Sequence, residues 1–466
     1  MYLKLAPAPP TYETSSGGAD KVGSPATTQR LWQQANCHQD THCFLGSCSS
    51  IPASDWKRRA ATKNSTTNKN GNDRMNSDAM QLTKRLVLTI ALALSSAVAP
   101  ALAGGFSRGE ANTDILFNDS RFSAASELIY VSPSRDYSEL MGQPVNDKPY
   151  SDAFFVPSLA IGAKIGENLS CTLTFTQPFG GSATYSDAAQ NAEFVTAIGL
   201  GDPFPNPTSK MKFSADEYGA TCKVGFAVGP GDLNLIGGAF LETFDYKEDT
   251  WIGSVHLKDD GEIGYRVGVA YDIPEYAMRV QVIYRSEVHH EGKGMYTPSD
   301  LAIANGITDA MAANGAGTLP QSLKIYAQTG VAPGWLVYGS VAWTDWSVLP
   351  KFSYDVPGLG TANKIFNYKD GYTVQLGVGH DFSDTVSGTV NITWDQGVGT
   401  GADITTDTWT LGLGAQYKAK IGTFGIGAAI SYLTTGSQAV SAGATYDAKA
   451  DADWALGLGI SYAVQF

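Results

Sequence analysis

The sequence predicts an all-β protein, a transmembrane antiparallel β-barrel of about fourteen strands. Three observations carry that expectation. In the last stretch, residues 453–466, Trp454, Leu456, Leu458, Ile460, Tyr462, Val464 and Phe466 fall on every second position. Ala455, Gly457, Gly459, Ser461, Ala463 and Gln465 take the other face, so one side suits oil and the other is small and polar. Segments of the same kind recur upstream, joined alternately by short turns and long connections. Finally, hydrophobic residues make up 43% of the chain, yet past the N-terminal region no apolar run is long enough for a membrane helix. A barrel wall hides its apolar character by alternating it.

The formal net charge is −13 and no basic stripe is visible, which excludes nucleic acid as a partner class. The first 79 residues do not share the pattern. They are rich in Ser, Thr, Asn and Lys and hold Cys37, Cys43 and Cys48 beside His38 and His42, in a spacing that matches no paired metal knuckle. From Met80 the chain reads as a secretory signal: Lys84 and Arg85, an apolar core over 86–98, and a small-residue exit at Ala101, Leu102 and Ala103. The expected organisation is therefore a non-native or disordered extension (1–79), a signal peptide (80–103), a short N-terminal segment (104–126) and a barrel (127–466). Translation is expected to begin at Met80 or Met75, with the mature chain starting at Gly104.

Expected strands cover 127–132, 154–164, 169–177, 213–228, 232–245, 262–271, 277–288, 321–331, 334–344, 368–379, 385–395, 405–417, 421–432 and 450–466. Gly, Pro, Asn and Asp dominate the tight turns between alternate pairs, near 164–168, 229–231, 272–276, 332–334, 380–384 and 418–421. The opposite connections, 133–153, 178–212, 246–261, 289–320, 347–367, 396–404 and 433–449, are long. Within 289–320, the stretch 298–313 reads as a helix capped by Ser299 or Asp300, with Leu301, Ile303, Ile307 and Met311 apolar. It is either a packed lid or a first capture site for an apolar ligand.

Parity assigns the lumen face. Val280, Val282 and Tyr284 facing lipid puts Arg279, Gln281, Arg285 and Glu287 inside, and Asn391, Thr393 and Asp395 are likewise inward. Thr410, Gly412, Gly414 and Gln416 line the interior opposite Trp409, Leu411 and Leu413. Cys171 and Cys222 share outward parity on neighbouring strands and either bridge or stand as lipid-facing thiols. His256, His289, His290 and His380 sit in no recognisable Ser or carboxylate constellation, and nothing calls for a cofactor.

The terminal aromatic with its alternation resembles the assembly signal of bacterial outer-membrane barrels, which implies the barrel assembly machinery as a partner. Further stretches resemble the outer-membrane long-chain fatty acid transporter family, FadL-type, with its aromatic-hydrocarbon channels. They are Leu257-Lys258-Asp259 through the Gly264–Ile273 run to Tyr284-Arg285-Ser286, then Leu319-Pro320, Pro333-Gly334-Trp335, Trp343-Thr344-Asp345-Trp346 and Phe366-Asn367-Tyr368-Lys369-Asp370-Gly371-Tyr372. The resemblance implies a monomeric barrel in the outer membrane among lipid and lipopolysaccharide, with residues 104–126 as a short N-terminal plug segment inside the bore, passive uptake of hydrophobic molecules, and sideways release through the wall. A general porin for polar solutes is the alternative from the alternation alone. Gly105-Phe106 matches the family's opening, making Phe106 a ligand-contact candidate, while the plug is shorter than the family's and lacks its Asn-Pro-Ala element.

Two site expectations follow. Pro178, Phe179, Gly180 and Gly181 lie where the family's third strand kinks; Pro removes a ladder donor, so either pairing to the next strand fails there and opens the wall, or the strand simply ends at the rim. Lys369 matches the family's carboxylate-holding basic residue and is inward by parity, either as that cation, in a salt bridge to Glu287 or Asp395, or at the rim against lipopolysaccharide. The family's second head-group arginine has no counterpart on 232–245, and Arg285 stands as its substitute.

Overall fold

The computed structural model describes residues 104–466; the extension, the signal segment and Cys37, Cys43 and Cys48 lie outside the described residues. The wall strands are β1 (Phe122–Pro133), β2 (Phe154–Ile165), β3 (Leu169–Thr184), β4 (Thr208–Val228), β5 (Gly231–Thr250), β6 (Gly253–Ile273) and β7 (Met278–Arg285). The second half supplies β8 (Ser322–Ala332), β9 (Trp335–Thr344), β10 (Gly371–Asp381), β11 (Val386–Asp395), β12 (Thr408–Ala419), β13 (Gly422–Leu433) and β14 (Asp453–Gln465). Each pairs antiparallel with its neighbour in the chain, and β1 closes on β14 from Ser123↔Gln465 to Pro133↔Ala455. All fourteen expected segments are wall strands, though β1 begins at Phe122, so the segment inside the bore is 104–121.

Closure is what makes these strands viable in lipid, because every backbone N–H and C=O must be satisfied within the sheet. Exposed aromatics form two girdles where the wall meets the interfaces. Near the tight turns stand Phe122, Phe226, Trp335, Phe382, Tyr417, Phe424 and Phe466; on the opposite side stand Tyr130, Phe155, Tyr218, Tyr265, Tyr372, Trp409, Tyr432 and Trp454. Tyr130 and Phe155 meet at 5.1 Å, and Tyr432 and Trp454 at 5.2 Å. Cys171 and Cys222, directly opposite on β3 and β4 with Cα atoms 4.0 Å apart, are disulfide-bonded.

The long connections differ most from expectation. There is no loop over 246–261. β4, β5 and β6 run 21, 20 and 21 residues, well beyond the ~10 a tilted strand needs to span, and β5 turns into β6 at Trp251 and Ile252. The alternation persists there under charged residues: Tyr246, Glu248, Val255 and Leu257 are buried while Lys247, Asp249 and Lys258 are exposed. The helix expected over 298–313 shrinks to α2 (Asp300–Ala304), capped by the Ser299 hydroxyl, at the tip of a hairpin formed by Val288–Pro298 and Met311–Leu319. Asn305 caps the single turn and Gly306, at φ 92°, ends it. This hairpin pairs edge-on with the outer part of β6, and Lys351–Val356 and Gly360–Ile365 extend the same sheet. An unforeseen helix, α1 (Asp187–Gly199), is capped by Ser186, whose Oγ accepts from Ala189 N at 3.1 Å. Four short strands, Glu139–Leu140, Gln143–Pro144, Gly436–Gln438 and Ala448–Ala450, make a second small sheet.

Glycines on the lumen face admit large rings from the adjacent strand. Tyr338 lies opposite Gly377 and Phe240 opposite Gly264; a Cβ would stand 2.3 Å from the Tyr338 ring and 2.2 Å from the Phe240 ring. Gly377→Val should therefore force Tyr338 out of place and cost about 1–3 kcal/mol. The check is the urea midpoint of the refolded barrel, followed by its heat-modifiable gel mobility, with Val374→Ile on the lipid face as a near-neutral control.

Candidate functional site: a wall opening beside a ring-lined cavity

The β2–β3 ladder stops before the strands do. Its last pair is Ser158↔Thr176, whereas β1 and β2 stay paired as far as Val131↔Phe154. Beyond Thr176 the β3–β4 register shifts and resumes at Phe179↔Ala215. The expected failure at Pro178 is thus on the opposite side: pairing to the following strand survives by a bulge, and pairing to the preceding strand is lost. Pro178 has no N–H to give, and the bulge absorbs the resulting misfit.

The freed edge of β3 is taken up by the N-terminal segment. Arg108 N donates to Pro178 O at 2.8 Å, Gly109 N to Gln177 O at 2.9 Å, and Gly180 N to Phe106 O at 2.9 Å. Gly109 lies so close to Thr176 and Val156 that a Cβ would stand 2.7 and 2.9 Å from them. Further out, Asp152 N donates to Ser182 O at 3.1 Å and Thr184 N to Tyr150 O at 2.8 Å. A window between β2 and β3 is thus bounded by the 150–152 loop and filled by residues 106–109.

Behind the window is a cavity of about 380 Å³, lined among others by Phe106, Arg108, Phe154, Gly180, Gly181 and Phe213. Phe106 sits at its centre of rings, 4.8 Å from Phe213, 5.3 Å from Phe366, 5.7 Å from Tyr368 and 5.9 Å from Trp346. Trp346, Leu257 and Val398 are fully enclosed in the same apolar core. Tyr368 donates to Asp403, a cavity carboxyl on the β11–β12 connection whose burial raises its pKa to about 6. Two of the cavity's bases are occupied: Arg135 donates to the Thr434 and Asp451 carbonyls at 3.0 and 2.9 Å, and Lys364 pairs with Glu248 at 2.5 Å.

The sequence-derived residues are only partly gathered here. Phe106, Phe179, Gly180 and Gly181 meet at the window. Lys369 does not face the lumen: it is exposed, ahead of the start of β10, and Glu287 is exposed beyond the end of β7. The parity argument carried the alternation of β10 past its first residue; Asn367 has a positive φ of 48°, and it is Phe366 and Tyr368 that turn inward. Arg285 is inward but lies outside the cavity lining, in an ion network with Glu217 at 3.0 Å and with Glu242. Leu301 and Ile303 are exposed on α2, whereas Ile307 and Met311 pack against the aromatic core, so the four form no common capture face. Sequence reasoning missed Phe213, Phe366 and Arg108, although Phe366 and Tyr368 alternate visibly in their motif.

The ion network pins the outer hairpin to the wall. Arg266 also pairs with Glu217, and buried His290 reaches Asp259 from Nδ1 at 2.9 Å and Glu242 from Nε2 at 3.3 Å. Only an imidazolium can donate to both. Burial opposes the charge, but the hydrogen bonds and charges of Glu242 and Asp259 outweigh it and hold the His290 pKa above its ordinary 6.5. A pKa raised on folding stabilises fully below the unfolded value and loses that contribution as pH rises through the folded one. The thermal midpoint should therefore fall as pH is raised from about 6.5, and His290→Gln should remove that component, measured by circular dichroism in detergent micelles.

The family model for the outer membrane protein transport protein family (OMPP1/FadL/TodX) matches residues 115–466. The long-chain fatty acid transport protein of Escherichia coli O6:H1 is 24% identical over 334 residues, spanning 63% of this chain and 71% of its own length. Its Salmonella typhi counterpart is 29% identical over 143 residues, about a third of that protein (32%). In fold the chain resembles a Pseudomonas aeruginosa FadL homologue, with TM-score 0.59 at 14% identity over 78% of this chain and 99% of that one. It also resembles the P. putida toluene transporter TodX, with TM-score 0.54 at 12% identity over 80% of this chain and 99% of that one. An interrupted wall, a ring-lined cavity and a closed barrel thus coincide with a match over most of the described chain: the protein belongs to the outer-membrane OMPP1/FadL/TodX transport family.

Proposed function

We propose that this protein is a passive outer-membrane channel for long-chain fatty acids or similar apolar compounds, which enter the cavity and leave sideways between β2 and β3. The observation that carries this reading is the break in the β2–β3 ladder directly beside a cavity walled on one side by Phe106, Phe154, Phe213 and Phe366. A wall that must satisfy every backbone group has no structural reason to leave a ladder open, and here a short N-terminal segment stands in for the missing strand. An interior packed with Phe, Tyr and Trp does not suit a polar porin. The rings around Phe106 favour an aromatic hydrocarbon as the second substrate class, in keeping with the fold shared with the toluene transporter TodX.

In this reading Phe106 contacts the ligand and Pro178, Phe179, Gly180 and Gly181 edge the exit. Lys369, at the outer rim, meets lipopolysaccharide, and Ile307 and Met311 support the core. The chain acts as a monomer that the assembly machinery inserts through its C-terminal strand. Transport without catalysis is the activity proposed: His256 and His290 are held by carboxylates, His289 by Thr318 and His380 by the Gly334 carbonyl.

Expression in a strain lacking its fatty acid transporter should restore uptake of labelled hexadecanoate. Gly181→Trp places an indole where a Cβ already stands 3.0 Å from Phe213 and 3.1 Å from Phe106, and uptake should drop by roughly tenfold or more if the exit lies there. Unchanged uptake by a correctly folded Gly181→Trp barrel would remove the sideways route.

A further inference from the structure

Three basic side chains line the cavity, and two are accounted for. Arg135 is held by backbone carbonyls and by the Thr406 hydroxyl, and Lys364 by Glu248 and Thr208. Arg108 is not. Only 7% of it is exposed, its Nε is buried with no hydrogen-bond partner, and among the described residues no carboxylate pairs with its guanidinium. Its one strong neighbour is the face of Phe154, with Cζ 3.9 Å from the ring centroid. A ring face attracts a cation but takes none of its N–H bonds, so a buried guanidinium so placed still calls for an anion.

The surroundings fix what kind of anion fits. Arg108 stands at the window itself: its own N–H binds Pro178 on β3, and its side chain lies on Phe154 at the unpaired end of β2. The absence of a side chain at Gly180 makes this possible, since a Cβ there would stand 2.8 Å from the guanidinium carbon. Behind it the cavity runs on to Phe106, Met211, Phe213 and Phe366, a surface suited to a hydrocarbon tail. Its volume of about 380 Å³ lies within the usual range for small-molecule pockets of roughly 300–1,000 Å³.

We propose that Arg108, on the N-terminal segment, is the cation that receives the carboxylate of a fatty acid at the wall opening, the head-group role that Lys369 is not placed to fill. The guanidinium fork offers two parallel N–H donors to a carboxylate, which lends direction as well as charge. Because the same residue's backbone holds the segment against β3, the head group binds at the element that fills the exit. This proposal rests on the channel reading above.

The test compares hexadecanoate with hexadecan-1-ol, which share a tail and differ in charge, binding to the folded full barrel in detergent at pH 8 by tryptophan quenching. The wild type should bind hexadecanoate at least about tenfold more tightly than the alcohol. Arg108→Met, which keeps the stem and removes the charge, should abolish that preference by weakening hexadecanoate alone, and Arg108→Lys should keep most of it. Equal affinity of the wild type for both compounds overturns the proposal while leaving an apolar channel standing, and this outcome needs no variant to fold. A parallel loss for both compounds in Arg108→Met, or no loss for either, overturns it as well. Binding of neither compound by the wild type removes the fatty acid reading and the proposal together.

Discussion

The constraint on which the structure depends is the continuity of the backbone hydrogen-bond ladder around the barrel. In hydrocarbon there is no water to satisfy a free peptide group, so β1 must meet β14 and each strand must meet the next. Against that requirement the β2–β3 interval is an exception in kind. The groups that β2 no longer satisfies on β3 are satisfied by residues 106–109 and by the 150–152 loop, neither of which is a wall strand. A transmembrane strand cannot be withdrawn without exposing two ladders, whereas a segment held by a few hydrogen bonds can move at far lower cost.

The interior is divided between two chemistries. On the side of β4 to β7, Glu217, Glu242, Arg266 and Arg285 neutralise one another, joined by His290 and Asp259 from the outer extension. Buried pairs of this sort add little net stability but penalise any arrangement that separates them, so they hold the outer hairpin in one register. Next to them, Phe213, Trp346 and Phe366 each pack edge to face on Phe106. Charge fixes the frame there, and apolar surface is left for the cavity. Arg108 departs from this division, being the one cavity-lining base without a carboxylate, carbonyl or hydroxyl partner among the described residues.

How the outer region is built explains its divergence from simple turn-and-loop reading. β4, β5 and β6 pass the girdle without interruption, and the 288–319 and 351–365 hairpins continue their sheet above the membrane level. Once outside, the strands no longer need a lipid-facing apolar row, so charged residues enter the exposed positions while the inward row, Tyr246, Val255 and Leu257 among them, stays mainly apolar. The alternation survives on one face only, and hydrophobicity alone does not reveal it.

The sequence by itself determined the barrel. A period of two, repeated over fourteen segments and separated by Gly, Pro, Asn and Asp turns, leaves only one way to hide polar backbone and expose apolar side chains to lipid. It also assigned Arg279, Gln281, Asn391 and Thr410 to the interior, since parity holds within a regular strand. It failed where the strand ends: Lys369 and Glu287 lie just past such ends, where one irregular residue reverses the side a chain presents. What only the tertiary structure decided is which edges pair and which groups stay unpaired. That β3 parts from β2 instead of β4, that Cys171 meets Cys222, and that Arg108 lies on Phe154 beside a glycine all depend on residues dozens of positions apart. A local pattern fixes the face each side chain takes along a strand, and contact across the barrel fixes its partner.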